Sequence, residues 1–364
     1  MQLINSQIQP KTFKEKTDAG IARLAAQLVG AVTAERQPHL PQQANLNAHG
    51  QHPFYRSTHY GIMIPDLPAP YRYLSFAAIV GYVGFPITDV QAGLSALGKA
   101  DTASLVHGTA LSTTEEAYQT YSIQQDLRFS QEPFSISFGQ QSSLSSSGDD
   151  YLLKTSRDDL IVELTLRPQQ ALTWFAHSAL YRHFSQLICY KGHIIQQDKT
   201  VAVQGMGTLE HWNAVATSTL RQPWITQHVQ LPVKIFTYQV INLNAQEQIL
   251  LVFIAYEQQP ILTSAYYRNI QGQSLQYDGE IIFKVTKNFE QALTSPDGDQ
   301  IFPPQSFYWQ IHHQKQPVAE IFATVDTPYC FGLGAGYVTA YQWHGSYKNQ
   351  KMTGRGYMEF IDRR

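Results

Sequence analysis

Charge is what this sequence has least of. Only 15% of its 364 residues are charged and the formal net charge is −2. No basic field is present to steer the chain toward nucleic acid, and no acidic tail is present either. Cysteine is almost absent: Cys189 and Cys330 lie far apart, too few for a disulfide framework, and read as two buried free thiols of a reducing compartment. No apolar run approaches the 18 residues of a membrane span. The longest candidate, 74–85, is broken by Gly81 and Gly84. The N-terminus carries no basic stretch followed by an apolar core, so no secretory signal is read. A soluble, cytoplasmic protein is expected.

Catalytic signatures are also missing. There is no Gly-x-Ser-x-Gly elbow and no His-Glu-x-x-His. His312 and His313 are adjacent on a predicted strand and face opposite sides, so no metal is expected. Gly332-Leu333-Gly334-Ala335-Gly336 precedes a strand rather than a helix, which disfavours a dinucleotide site. Hydrolase, kinase and nicotinamide-enzyme readings are therefore disfavoured.

What is present is aromatic and β-forming. The chain holds 21 Tyr and 18 Phe, residues suited to half-buried pleated surfaces. Residues 12–35 place Ile21, Leu24, Leu28 and Val32 at helical spacing and predict a packing helix. Its polar face is not basic, so membrane contact is not favoured. Six prolines over 37–70 predict an extended strap. Beyond it, short apolar or alternating runs predict strands, broken by a Ser-rich loop at 140–149, a short helix within 175–186 and a loop at 287–304. Pro223 and Pro232 flank an interruption at 220–232. The expected division is an N-terminal helix and strap (1–56), a first barrel (57–222) and a second barrel (232–364).

One motif is used twice. Gly205-Met206-Gly207-Thr208-Leu209-Glu210 is matched by Gly354-Arg355-Gly356-Tyr357-Met358-Glu359, and Tyr190-Lys191-Gly192 upstream is matched by Trp343-His344-Gly345. The recurrence predicts a duplicated unit, each copy closing on the same strand pair. Around 281–285, Ile281, Phe283 and Val285 share a face. Phe307, Trp309 and Ile311 do so further on, as do Tyr337, Tyr341 and Trp343.

These residues resemble the lipocalin-like tandem-barrel family of the carotenoid hydratase (hydroxyneurosporene synthase) and AttH-like proteins. The matching positions are Gly205, Gly207, Glu210, His211 and Trp212, then Gly345, Gly354, Gly356, Tyr357, Met358 and Glu359. Phe302-Pro303-Pro304 ahead of Trp309 matches a Pro-containing loop. The likeness spans roughly 58–361. It implies an all-β chain of two tandem lipocalin-like antiparallel barrels with a large apolar ligand of isoprenoid, polyketide or lipid type, and no cofactor. The family's Asp-His-x-Trp is here Glu210-His211-Trp212, so Glu210 and Trp212 would share a face and His211 would point away. The family's Tyr and Asp on the following strands are best matched by Tyr256-Glu257.

Cofactor-free chemistry on such a ligand needs a carboxyl group tuned by an apolar setting, often with a His or Tyr partner. Glu210 with His211 leads the candidates, followed by Tyr256 and Glu257. Glu210 recurs as Glu359, which fits a structural device equally well, whereas Phe360 stands where His211 does. Trp212, Trp224, Trp309 and Trp343 are candidate pocket walls. Arg72, between Tyr71 and Tyr73, is a candidate partner for a ligand carboxylate. Two functions stay open: a hydratase, isomerase or cyclase, and a carrier without chemistry. A pure interaction protein is the third.

Overall fold

The computed structural model describes residues 30–81, 87–88, 90–157, 160–196, 199–215, 233–256 and 259–364. Most of the predicted helix over 12–35 lies outside them, as do Trp224, Glu257 and the whole of the 220–232 boundary. The described end of that helix is a turn whose Ala31 bridges Ala176.

The described residues are mostly antiparallel strand. The first sheet takes β1 (Tyr55–Ile64), β2 (Leu74–Gly81), β3 (Thr102–Gly108), β4 (Tyr118–Ser122), β5 (Leu127–Gln131), β6 (Phe134–Phe138), β7 (Ser142–Ser147), β8 (Asp150–Arg157), β9 (Leu160–His177), β10 (Tyr181–Gln196) and β11 (Lys199–Val215). Their order is β4-β3-β2-β1-β11-β10-β9-β8-β7-β6-β5. The sheet curls nearly into a barrel: Phe76 on β2 meets Phe138 on β6, and His107 on β3 bonds Thr155 on β8 at 2.7 Å.

The second half holds β12 (Ile235–Asn242), β13 (Glu247–Tyr256), β14 (Gln259–Asn269), β15 (Ser274–Gln276), β16 (Ile281–Asn288), β17 (Leu293–Thr294), β18 (Gln300–Ile301), β19 (Pro304–His313), β20 (Gln316–Val325), β21 (Cys330–Leu333), β22 (Gly336–Tyr347) and β23 (Gln350–Asp362). Its main sheet runs β15-β14-β13-β12-β23-β22-β20-β19-β16, with β21 on β22, and forms a half-barrel. In both sheets the first strand pairs with the last.

This shared order puts the repeated motif in equivalent places. Gly205 faces Tyr190 across β10–β11, and Gly354 faces Trp343 across β22–β23. In both, the aromatic ring covers the glycine: an added Cβ would sit 3.0 Å from Tyr190 Oη or from Trp343 Nε1. Gly192 and Gly345 are tighter still, because a Cβ there would meet the backbone oxygen of Glu163 at 2.0 Å or of Glu320 at 1.8 Å.

Which strands alternate follows from what covers them. β20 faces water on one side, and alternate residues from Ala319 to Val325 are buried. β1, β2, β12 and β13 are buried on both faces and read as near-continuous apolar runs. Their inner faces fill the barrels, with Ile62, Phe76 and Leu209 in the first and Leu251, Trp309 and Phe360 in the second. Their outer faces meet in a seam that buries Met63, Ile79, Trp212, Tyr238, Val240, Leu250 and Tyr357.

Three local expectations are corrected. The segment 175–186 is strand at both ends, carrying the end of β9 and the start of β10. The serines of 140–149 form β7, whose alternate residues Ser142 and Leu144 turn inward. The loop 287–304 contains the small hairpin of β17 and β18. Cys330 is buried as expected, donating to Ser112 O, whereas Cys189 is only half-buried. The strap lies over the open end of the first barrel. Leu46 is packed in its core, Trp174 Nε1 donates to Pro41 O (2.8 Å), and Tyr60 Oη donates to Asn47 O (2.8 Å).

Candidate functional site

Alternation along β11 sends Leu209, His211 and Asn213 into the first barrel and Thr208, Glu210 and Trp212 into the seam. Glu210 is 3% exposed and sits opposite Gly61 on β1 and Ser185 on β10. Gly61 leaves room for His59, since a Cβ there would lie 2.7 Å from His59 Nε2. Trp212 stacks on His59, with centroids 5.7 Å apart, and also meets Tyr181.

His183 stands directly across from Trp212, which makes it the diagonal neighbour of Glu210. Its Nε2 is 3.5 Å from Glu210 Oε2, and its Nδ1 is 2.9 Å from Tyr181 Oη. From the other sheet, Tyr238 brings its hydroxyl up to the same carboxylate. That hydroxyl, Glu210 Oε1 and His183 Nε2 all fall short of good hydrogen-bond geometry with any described group. Burial pushes the Glu210 carboxyl toward its neutral form, but His183, Tyr238 and His59 outweigh it and hold the carboxyl below the ordinary value.

Glu359 occupies the equivalent place on β23. It pairs in register with Tyr238 and accepts a hydrogen bond from Tyr357 Oη at 3.2 Å. Tyr357 Oη is in turn 3.1 Å from Ser75 Oγ on β2. Burial, then the neighbouring charge of Glu210, push the Glu359 carboxyl well above the usual range. The seam therefore holds two carboxyl groups pushed in opposite directions, Glu210 toward the charged form and Glu359 toward the neutral one.

A buried cation completes the cluster. Arg268 on β14 is wholly buried. It donates to Gln248 Oε1 (2.9 and 2.6 Å), Ser185 Oγ (2.9 Å) and Thr208 Oγ1 (2.7 Å), tying β14 and β13 to β10 and β11. All three acceptors are neutral. Ser185 is the cross-strand neighbour of Glu210, so the guanidinium is one side chain away from the carboxylate it balances. Burial lowers its pKa to about 10, against the opposing pull of Tyr238 and Glu210.

Of the residues singled out by sequence, Glu210 and Trp212 come together here. His211 does not. It lies inside the first barrel, donating Nδ1–H to His59 O (2.8 Å), while Nε2 accepts from Asn47 N (3.2 Å) and Asn213 Nδ2 (2.9 Å). Burial presses its pKa down to about 3. Every polar atom of the ring is engaged, so it has no proton to trade and acts as a strap anchor. Tyr256 ends β13, four residues beyond the level of Tyr238, or about 13 Å along the strand. Arg72 sits in a turn with φ 64°, where its charge acts on Asp66 and Asp326. Trp309 and Trp343 are core residues of the second barrel, donating to Gln239 Oε1 (3.0 Å) and Arg355 O (3.3 Å). Sequence reasoning missed His183, Tyr181, Tyr238 and Arg268. Pairing β10 with β11 in register would have placed His183 beside Glu210; the contribution of the second sheet has no local signal.

The fold is that of an AttH protein (NE1406) from Nitrosomonas europaea, with a TM-score of 0.56 at 14% identity over 89% of this chain and 98% of that one. At that identity the likeness is one of fold. Weaker matches are CghA with Sch210972 (TM-score 0.43, 7% identity, 92% of this chain and 96% of that one) and CghA alone (0.42, 8%, 92% and 96%), both too distant to bear on the site. No curated protein sequence matches the chain. A family model does, over residues 77–364, from within β2 to the C-terminus, and by that match the chain belongs to DUF6670, a family of unknown function.

Proposed function

We propose that the protein binds a large apolar small molecule of isoprenoid, polyketide or lipid type at the seam between its barrels and moves a proton there, as a cofactor-free hydratase, isomerase or cyclase. The feature that carries this reading is the pair of buried carboxyls, Glu210 and Glu359, pushed in opposite directions by their surroundings in a seam that also holds aromatic side chains and the buried Arg268. Paired carboxyls driven apart in this way are suited to acid and base roles. In a hydration, Glu359 would give its proton to one carbon of a double bond. A water would add to the cationic neighbour and lose its proton to Glu210. Return of that proton to Glu359 restores both groups. Trp212, Tyr238 and Phe175 supply aromatic faces that favour a transient cation. The half-buried rim of Phe175, Tyr181, Phe236 and Ile254 is the proposed way in.

Native mass spectrometry of protein purified from its own host tests the reading. A co-purifying apolar molecule is expected, chemically altered on incubation with wild type and unaltered with Glu210→Gln. Recovery with no apolar molecule bound would overturn it. A molecule bound but unaltered by wild type would reduce it to a carrier.

A further inference from the structure

We infer that His183, oriented by Tyr181, is the positioning residue that keeps Glu210 a carboxylate inside the seam. The inference rests on the proposed role of Glu210, but its test does not. The geometry separates His183 from the other histidines packed around the same strands. His211 faces a carbonyl on one side and two N–H donors on the other, which fixes a neutral ring with the proton on Nδ1. His59 puts Nδ1 2.8 Å from Ala78 O, so its proton is also held on Nδ1. Of these three, His183 is the one with a nitrogen in charge range of a carboxylate oxygen, Nε2 at 3.5 Å from Glu210 Oε2. Its other nitrogen meets a hydroxyl, Tyr181 Oη at 2.9 Å.

A hydroxyl partner suits either state of the ring. It donates to Nδ1 when the proton sits on Nε2, and it accepts when both nitrogens are protonated. In both states Nε2 carries a proton on the Glu210 side, 3.5 Å from Oε2, where it makes no hydrogen bond but favours the charged carboxyl through space. Around the pair stand Tyr181 on the strand of His183 and His59 on β1; Tyr238 on β12, Arg268 on β14 and Glu359 on β23 act on Glu210, and His211 acts from the far side of β11. Glu210 is the acid within charge range of the ring. His183 is also 18% exposed where Glu210 is 3%, so the ring spans the distance from the rim to the buried carboxyl. Phe175 closes edge-on over it at 4.8 Å.

The test is nuclear magnetic resonance on protein labelled at histidine nitrogens and glutamate carboxyl carbons, with no ligand added. In wild type, His183 is expected to carry a proton on Nε2, and His211 and His59 on Nδ1. In His183→Asn, the proton affinity of Glu210 is expected to rise at least about tenfold. Tyr181→Phe should move it the same way by less. A His183 proton confined to Nδ1 in wild type would overturn the inference without any variant, as would a Glu210 titration unmoved in His183→Asn. If the coupling is found and no apolar molecule co-purifies, the functional reading fails and this one stands.

Discussion

Glu210 and Glu359 hold the same position in two copies of one strand, each 3% exposed, and their surroundings push the two carboxyls in opposite directions. The difference comes from their neighbours. Glu210 has His183 and the phenol of Tyr238, while Glu359 has Tyr357 and the charge of Glu210 itself. A duplicated residue has thus become two chemically distinct groups without either side chain changing.

Stability should record this. Glu359 holds its proton more tightly folded than unfolded. Above the ordinary value of 4.5 the unfolded chain has lost that proton while the folded chain keeps it, so stability falls as pH rises until Glu359 ionises within the fold. Glu210 contributes in the reverse sense: its share is present above 4.5 and is lost as pH drops through its lowered folded value. Denaturation followed across pH should show Glu359→Gln removing a decline of up to about 1.4 kcal/mol per pH unit on the alkaline side of 4.5. Glu210→Gln should instead flatten the acid side.

Arg268 should be hard to replace. Arg268→Met strands Gln248, Ser185 and Thr208 and leaves Glu210 without its balancing charge. A loss of about 3–5 kcal/mol in urea unfolding is expected. Arg268→Lys should recover little, because an ammonium cannot reach three acceptors held in a fork.

The paired glycines give a graded series. Gly192→Ala and Gly345→Ala each drive a methyl into a backbone oxygen of the adjacent strand and should cost similar amounts, about 2–4 kcal/mol. Gly205→Ala meets only the far end of the Tyr190 ring and should cost less than about 1.5 kcal/mol. Thermal melts of the three variants check the order.

The strap should behave as a stopper. Leu46→Asp puts a charge into the core of the first barrel and should displace the segment running to Asn47. Increased binding of a fluorescent apolar dye, with far-ultraviolet circular dichroism unchanged, is the expected result. Unchanged dye binding would show that the strap is held by other contacts.

How much could be read from sequence varied with the source of the signal. The Gly-x-Gly repeat and the upstream Tyr190–Gly192 and Trp343–Gly345 pairs record backbone crowding. Such constraints act locally, and they gave both the duplication and its register. Alternation identified the inner faces of β16, β19 and β22. Glu210 and Trp212 were correctly put on one face by strand periodicity alone. His211 was marked by its departure from the repeat, and the structure places it in the first barrel with the strap bonded to its ring. Arg268, Tyr238 and Glu359 gather around Glu210 through contact between two sheets distant in sequence, and no local pattern encodes such an arrangement. The serines of β7 read as loop because polarity was weighed above pairing, whereas β6 and β8 hold them in register on both sides.

Each sheet seats its earliest strand beside its latest: β1 on β11, and β12 on β23. A chain leaving the ribosome must therefore carry β1 with one flank bare for some 150 residues, and β12 for more than 100. Such long-range closure makes assembly slow and leaves sticky intermediates. Loss of residues 350–362 would uncover β12, β22 and the seam in one stroke, so β23 is the strand that locks these parts together.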